Sequence, residues 1–305
     1  MDTATVDALA DKCFTMAGLA EPRHREPLRV WALSGVERVH LSGGATVFLK
    51  YARVPFTDEP RVLAHVARHR LPVPELFASA VSGDTMTMVI EDLGDPDRDA
   101  TVSDAAVAAV AAHAVAPPSG LARLDIAALR ALPASCLKRL GELVDAGRWP
   151  EPAADIAALE HLDDMAPVRA DGAETAPFGL CHSEFHPTSI HISRRGWRLL
   201  DWARAFTGPG LLDLASWQNT AEAPDLDALD ALIADYIAAG GATSASDDRG
   251  GLPVARWAVG WHRLWVIDWY LEQATTWIND PSTDPTYQQV IRRHLADAVE
   301  CLTGH

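Results

Sequence analysis

The stretch from residue 181 to residue 202 constrains the fold of this chain more than any other. In order, it consists of a polar loop (182–189), a short apolar run (190–192), a Ser/Arg/Gly turn (193–196), a second apolar run (197–200) and Asp201. Short apolar runs separated by turn residues predict a β-hairpin. We expect this hairpin to bring Glu184, Ser189 and Asp201 near one another at its open end.

The polar loop and the acid after it resemble the catalytic region of the aminoglycoside phosphotransferase and choline kinase-like enzymes, which are relatives of protein kinases. In that family a catalytic loop reads His-x-Asp-x-x-x-x-Asn, and a metal-binding Asp follows a hairpin. His182 matches the first position, Glu184 stands in place of the Asp, Ser189 in place of the Asn, and Asp201 matches the metal-binding Asp. The segment 208–215 also resembles the family's continuation.

The resemblance implies a role for each of these residues in phosphoryl transfer from a nucleotide. Glu184 is expected to orient the attacking hydroxyl of the acceptor or to accept its proton, and Asp201 and Ser189 are expected to supply oxygen ligands to Mg²⁺. His182 is expected to support the loop, and Asp213 resembles a family Asp that braces it.

The pattern of apolar runs predicts an α+β fold. A first helix is predicted over residues 3–20, strands over 29–33, 38–41, 46–50, 76–81 and 86–90, and a helix over 60–70. Further helices are predicted over 102–114, 124–131, 136–146, 211–220, 226–239, 254–278 and 285–302, and a loose loop over 240–251. With the resemblance, this indicates a two-lobed protein kinase-like fold. Residues 1–94 would form the nucleotide-binding lobe, 91–95 a hinge, and 95–305 a mainly helical lobe with the catalytic loop and acceptor site.

Lys50 and Glu59 are the predicted phosphate-binding pair of the first lobe. Lys50 ends an alternating apolar strand, and Glu59 begins the next predicted helix nine residues later. A Lys–Glu pair recurs in kinase-like sites, where the Lys contacts phosphates. The alternative is a solvated Lys and a Glu that is favoured by the dipole of the first helical turn; the family order of the surrounding motifs favours the nucleotide site.

Two backbone segments complete the predicted nucleotide site. Glu91, Asp92 and Leu93 resemble the family hinge, which grips the base of ATP or GTP through backbone groups. Ser34 and Gly35 are the candidate turn over the phosphates, although an ordinary hairpin turn explains them equally well.

The predicted helix over 254–278 carries tryptophans at four-residue spacing, which places them on one helix face. One interpretation is a core stripe that packs the helices. The other is an acceptor site, because the late helices of the family line that site and aromatic faces suit sugar or base rings. The candidate acceptor residues are Trp261, Trp265, Asp268 and Trp269.

Composition limits the partners of this 305-residue chain. A formal net charge of −16 argues against nucleic acid and anionic membranes as partners. No apolar run reaches the ~18 residues that a membrane span needs, and the acidic N-terminus does not resemble a secretory signal. We therefore expect a cytoplasmic protein whose four widely spaced cysteines are reduced, buried thiols.

These observations lead to one expected function and two alternatives. The expected function is transfer of the γ-phosphate of ATP or GTP, with Mg²⁺, to a hydroxyl of an antibiotic, in resistance or self-resistance. The acceptor would be an aminoglycoside, a peptide, or a nucleoside antibiotic such as capuramycin. One alternative is a metabolic kinase that acts on choline, homoserine or a sugar. The other, motivated by Glu184 and Ser189, is a pseudokinase that binds without turnover.

Overall fold

The computed structural model describes residues 2–218 and 222–304. The described residues group into two compact units. The first comprises Met1–Ala100 and Thr188–Ala205, and the second comprises Thr101–Pro187 and Phe206–His305. The predicted lobe boundary near residues 91–95 stays a prediction.

The first unit contains the predicted antiparallel sheet. Among its described residues the sheet has five strands in the order β1-β2-β3-β5-β4, namely β1 (Pro22–Val30), β2 (Ser34–Leu41), β3 (Thr46–Arg53), β4 (Leu76–Ser82) and β5 (Thr85–Glu91). The prediction of a strand over 29–33 was wrong, because the chain turns at 31–33 and β1 lies earlier. β1 is an edge strand and is exposed along most of its length, so it lacks the apolar alternation that reveals a strand.

Two helices accompany this sheet. Helix α1 (Thr3–Ala17) begins at Asp2, whose carboxylate caps the first turn, and ends at Gly18 in the left-handed conformation. Its buried face packs on the sheet in a core that includes Leu9, Cys13, Val39 and Leu49. Helix α2 (Glu59–Arg68) follows β3, close to the predicted bounds. Because side chains alternate along a strand, Lys50 lies on the face of β3 opposite Leu49.

The predicted catalytic hairpin is present. Strand β7 (Ile190–Ser193) pairs with β8 (Gly196–Leu199) in antiparallel register, with Ile190 opposite Leu199. Beyond the pair, the backbone N–H of Leu200 donates to the carbonyl of Ser189 at 2.8 Å. The two ends of the hairpin are thus held together, and Asp201 directly follows this closure.

The second unit is mainly helical. Its helices are α3 (Val102–His113), α4 (Ile126–Asp145), α5 (Ala153–Arg169), α6 (Leu211–Ser216), α7 (Leu226–Ala238), α8 (Val254–Glu272) and α9 (Asp284–Thr303), and strands β6 (Phe178–Cys181) and β9 (Phe206–Pro209) pair with each other. The predicted end of the 211–220 helix lies outside the described residues, and the helix predicted to end at 278 passes into a short π-helix at Gln273–Trp277.

Two predictions for the second unit were wrong, and one helix was not predicted. The helices predicted over 124–131 and 136–146 are one helix, α4, which continues through Pro133 because its buried residues share one face. Helix α5 was missed, since its sequence shows little amphipathic contrast and contains Pro167.

The second wrong prediction was the loose loop over 240–251. Arg249 in this segment is buried, and its guanidinium donates to the carbonyls of Gly172, Thr175 and Ala176. These bonds tie the segment to the chain before β6, which composition alone does not reveal.

All four cysteines are buried free thiols, as predicted. Across the described residues, no helix is both long enough and apolar enough to cross a membrane.

Candidate active site

Lys50 lies on β3, and two carboxylates hold its ammonium group. Its Nζ lies 2.7 Å from Oε2 of Glu59 and 2.7 Å from Oδ1 of Asp201. β3 pairs with β2 and β5, Glu59 begins α2, and Asp201 follows the β7–β8 hairpin. Three elements of the first unit therefore converge on one charged cluster made of residues that the sequence analysis assigned to nucleotide and metal binding.

The charges of this cluster determine its protonation. Burial disfavours the ammonium form of Lys50, but the carboxylates of Asp201 and Glu59 outweigh burial and hold the pKa of Lys50 above its ordinary value. Lys50 is therefore positively charged at neutral pH. A buried ammonium group is a strong ligand for phosphate oxygens.

A cavity of about 240 Å³ lies beside the Lys50 cluster within the first unit. Most of its wall is apolar, and its polar side chains are those of Lys50, Glu59, Asp201, Glu91 and His191; the apolar lining residues are Val36, Phe48, Leu63, Pro74, Ile90, Leu93 and Leu200. An apolar slot with a few convergent polar groups is typical of a small-molecule site. A flat base suits the apolar part, and phosphates suit the Lys50 end.

The predicted hinge residues border this cavity through Glu91 and Leu93. Asp92 braces the segment, because its carboxylate accepts hydrogen bonds from the backbone N–H of Gly94 at 2.9 Å and from Nε of Arg38 at 2.8 Å. The backbone N–H and C=O of Leu93 make no hydrogen bond to any described residue. A base edge that enters the cavity can take up such groups.

Ser34 and Gly35 begin strand β2 directly after the turn at 31–33, and the carbonyl of Ser34 accepts a hydrogen bond from the backbone N–H of Trp31 at 3.0 Å. The Ser34 hydroxyl accepts a hydrogen bond from the indole N–H of Trp31, and a Cβ on Gly35 would lie 2.3 Å from the Tyr51 ring. Close packing against Tyr51 is thus one requirement for a glycine here, and the role of Ser34 and Gly35 toward phosphates stays a prediction. Glu37, further along β2, pairs with Arg25 at 2.5 Å on the Tyr51 face of the sheet.

The second unit holds the first part of the catalytic loop. His182 and Ser183 are buried, Glu184 is half-buried and Phe185 is fully buried. The backbone N–H groups of His182 and Ser183 both donate to Asp213, at 2.7 Å each. This is the bracing contact that the family resemblance implies for Asp213. It also holds Ser183 at a φ of +82°, a conformation that costs about 1–3 kcal/mol for a residue with a side chain.

The tryptophan stripe divides between core and partly exposed positions. Trp257 and Trp261 are fully buried on α8, and their indole N–H groups donate to the carbonyl of Arg169 at 2.7 and 3.1 Å. The core interpretation therefore describes both. Trp265 and Trp269 are half-buried, and their role toward an acceptor stays a prediction.

Asp268 is already engaged within the second unit. Its carboxylate accepts hydrogen bonds from the hydroxyl of Ser135 at 2.7 Å and from Nε of Arg139 at 3.1 Å. An acceptor amine would have to compete with Arg139 for this carboxylate, because both are cations. Sequence spacing gave no sign of either partner, since both lie on α4.

Comparison with known proteins decides the family. The sequence model of the phosphotransferase enzyme family matches residues 37–254. The chain belongs to the phosphotransferase enzyme family. No curated protein matches it by sequence.

Solved structures of other proteins share the fold of this phosphotransferase. The macrolide 2′-phosphotransferase MphH of Brachybacterium faecium has a TM-score of 0.60 and 20% identity, with 97% of each chain covered. The aminoglycoside phosphotransferase of Alicyclobacillus acidocaldarius has a TM-score of 0.52 and 15% identity, covering 95% of this chain and 94% of that one. The choline kinase of Cryptosporidium parvum Iowa II has a TM-score of 0.64 and 9% identity, covering 96% of this chain and 95% of that one. These similarities confirm the predicted protein kinase-like fold.

Family membership makes the chain a phosphotransferase with a nucleotide donor and a small-molecule acceptor. Asp201 and Ser189 fit a hard cation chemically, since a carboxylate and a hydroxyl are oxygen ligands. Among the described residues no group of three or more His, Cys, Asp or Glu side chains is arranged to hold a metal. Mg²⁺ commonly takes one or two protein ligands and completes its shell with phosphates and water. The donor set thus fits a metal that arrives with the nucleotide.

Proposed function

We propose that this phosphotransferase moves the γ-phosphate of ATP or GTP to a hydroxyl group of an antibiotic. The observation that carries the proposal is the Lys50 ammonium, fixed between Glu59 and Asp201 in the wall of a largely apolar cavity. Phosphoryl transfer needs little covalent chemistry from the protein, because positioning and charge stabilisation supply most of the rate. A fixed ammonium beside a base-sized slot supports both tasks.

The proposed step forms one bond and breaks one. The acceptor hydroxyl oxygen attacks the γ-phosphorus, and the bond from that phosphorus to the oxygen bridging it to the β-phosphate breaks, which leaves a nucleoside diphosphate. Glu184 orients the hydroxyl and takes its proton. Lys50 binds phosphate oxygens, and Glu59, which is buried and lies within 2.8 Å of it, keeps its ammonium in place.

Asp201 and Ser189 would hold Mg²⁺. When bound, this ion would neutralise charge on the phosphate oxygens. Asp201 is suited to exchange its partner, because its side chain is 37% exposed and its present partner, Lys50, is itself a phosphate ligand.

The antibiotic class of the acceptor rests on the structural similarities. Two of the similar structures are a macrolide and an aminoglycoside phosphotransferase. Half-buried Trp265 and Trp269 on α8 would offer aromatic faces to the rings of such an acceptor. Since a choline kinase also shares the fold, metabolite acceptors belong in the same test.

The test is nucleotide consumption by the purified protein with Mg²⁺ and either ATP or GTP, against a panel of aminoglycosides, macrolides, peptide and nucleoside antibiotics. A product about 80 mass units heavier than its acceptor, the mass of one phosphoryl group, is the expected result. Modification of choline, homoserine or a sugar instead would overturn the antibiotic assignment. Nucleotide binding without modification of any acceptor would favour the pseudokinase alternative.

The role of Glu184 has its own variant. Glu184→Gln keeps the size of the side chain but cannot accept the proton, so kcat should fall by about 100- to 10,000-fold, while nucleotide affinity stays within about twofold. Glu160→Gln, an exposed glutamate of α5, is the matched control and should retain full turnover. Near-normal kcat in Glu184→Gln would remove Glu184 from the chemistry.

A further inference from the structure

Asp213 is a buried carboxylate whose partners are all hydrogen-bond donors of the second unit. Its side chain is 1% exposed, and its accepted bonds from described residues come from the backbone N–H groups of His182 and Ser183 and from the ring of His113. A buried carboxylate is stable only when its oxygens are satisfied. The His113 bond is therefore part of what fixes the position of Asp213.

The direction of the His113 bonds follows from Asp213. Because a carboxylate only accepts, Nε2 of His113 must carry the proton that it donates to Oδ2 of Asp213, at 3.3 Å. In the neutral ring Nδ1 is then an acceptor. It lies 3.2 Å from the hydroxyl oxygen of Tyr236, so Tyr236 donates to the neutral ring.

Tyr236 is suited to that donor role. Burial raises the pKa of Tyr236 to about 12, against a smaller opposing effect of the backbone N–H of Ala242, so the hydroxyl keeps its proton. Its ring packs against His113 with centroids 5.5 Å apart. The other side of His113 meets Gly210, where a Cβ would lie 2.6 Å from the imidazole. The imidazole thus has little room to rotate.

We infer that Tyr236 and His113 are positioning residues for the catalytic loop. The chain of bonds runs from the Tyr236 hydroxyl to His113, from His113 to Asp213, and from the loop amides of 182 and 183 to the same carboxylate. It connects α7, α3 and α6 to the loop residue immediately before Glu184. The orientation of Asp213 sets the path of the backbone through Ser183, and with it the direction in which Glu184 leaves the loop.

This inference rests on the proposed role of Glu184, and three variants test it. His113→Leu keeps an apolar side chain of similar volume but removes the donor to Asp213. His113→Gln keeps an N–H near the position of Nε2 and is the rescue variant. Tyr236→Phe removes a single hydroxyl and serves as the mild variant that retains the fold.

The kinetic readout is kcat against the KM for nucleotide. His113→Leu should lower kcat by about 10- to 100-fold, the range expected for a displacement of about 1 Å in a reacting group. Nucleotide KM should stay within about twofold, because no residue of the Lys50 cluster is changed. His113→Gln should recover most of kcat, and Tyr236→Phe should lower kcat by roughly 3- to 10-fold. Equal kcat losses in the Leu and Gln variants, or a raised KM with unchanged kcat, would overturn the inference.

A second readout does not depend on activity. Hydrogen exchange of the backbone amides of His182 and Ser183 should speed up by about 10-fold in His113→Leu and remain near wild type in His113→Gln. If the wild-type protein modifies no acceptor, the proposed function fails, but the exchange measurement still tests whether Tyr236 and His113 position the loop. Unchanged amide protection in His113→Leu would show that Asp213 holds the loop without His113.

Discussion

Asp201 and Asp213 lie close together in sequence, but their carboxylates have opposite surroundings. The Asp201 side chain is 37% exposed, and it pairs with a lysine that borders a cavity. The Asp213 side chain is 1% exposed and bonds to two backbone amides and a histidine. Each belongs to a different compact unit. Asp201 therefore has a partner that a ligand can replace, whereas Asp213 is bonded to groups of the buried protein interior.

The two environments suit different tasks. The loss of a partly exposed carboxylate costs little stability when the cation keeps a second partner, as the buried Lys50 keeps Glu59. Asp201 can therefore give up Lys50 to a phosphate and take a cation at small cost. A buried carboxylate that loses a donor has no water to replace it. Asp213 therefore maintains one geometry, which is what a loop that carries a catalytic group requires.

The two sites share one backbone feature, a residue with positive φ, but different contacts hold it in place. Asp201 has a φ of +62° and Ser183 a φ of +82°, and such conformations cluster at functional sites, where the surroundings over-determine them. At Ser183 the surroundings are the bonds to Asp213. At Asp201 they are the hairpin closure through Leu200 and the bond to Lys50. The bonds to Asp213 and the hairpin closure do not involve ligand-binding groups, whereas the bond from Lys50 to Asp201 does.

The largest expected effect comes from Asp201→Asn. Removing this negative charge should lower kcat/KM by about 100- to 1,000-fold, the range for loss of one preorganised electrostatic partner. The free energy of unfolding should change by less than about 1 kcal/mol, since Lys50 keeps Glu59. Steady-state kinetics and urea unfolding measure the two quantities.

Asp11→Asn, a change at an exposed position of α1, is the control for Asp201→Asn and should leave both quantities unchanged. If Asp201→Asn is strongly destabilised, Asp201 is a structural carboxylate like Asp213, and the proposed difference between the two is wrong.

Local patterns predicted the first unit and its cluster well. Glu59 follows Lys50 by nine residues at the start of a helix, and the turn residues 193–196 between apolar runs predicted the hairpin before Asp201. Such signals lie within one or two neighbouring elements. Strand β1 was displaced in the prediction because an exposed edge strand carries little apolar alternation.

The enclosing contacts of the second unit could not be predicted in the same way. His113, Asp213 and Tyr236 come from three helices, and no spacing along the chain relates them. Arg249 gave no sign of burial, because a Gly/Ser/Asp-rich segment usually indicates a solvated loop. Their partners are largely backbone carbonyls, backbone amides and distant side chains, which a sequence pattern does not identify.

A smaller effect, now on stability, is expected from Asp213→Asn. The amide keeps one acceptor oxygen but turns an NH₂ group toward a buried donor, so the free energy of unfolding should fall by about 2–4 kcal/mol. Urea unfolding of Asp213→Asn beside Asp235→Asn, an exposed position on α7, isolates burial from charge. If both variants unfold at the same urea concentration, the bonds of Asp213 add nothing to the free energy of unfolding. The view that Asp213 is a structural carboxylate would then be wrong.

The smallest expected effect concerns His294, a fully buried histidine of α9 whose two ring nitrogens make no hydrogen bond to described residues. Burial, with Arg263 and Arg293 nearby, lowers the pKa of His294 to about 3. In the unfolded chain the pKa returns to about 6.5, so protons bind the unfolded state preferentially between these values. Stability from this group is complete above pH 6.5 and declines as the pH falls, by up to about 1.4 kcal/mol per pH unit.

His294→Leu should therefore flatten the decline of unfolding free energy between pH 6.5 and pH 5 by about 2 kcal/mol relative to wild type. His161→Leu, at an exposed position of α5, is the control variant and should leave the slope unchanged. Urea unfolding at several pH values gives the three slopes. Parallel slopes for wild type and His294→Leu would mean that the folded protein accommodates a charged His294. Burial in the second unit would then fix the charge state of Asp213, which has hydrogen-bond donors as partners, but not that of His294, whose ring nitrogens have no hydrogen-bond partner among the described residues.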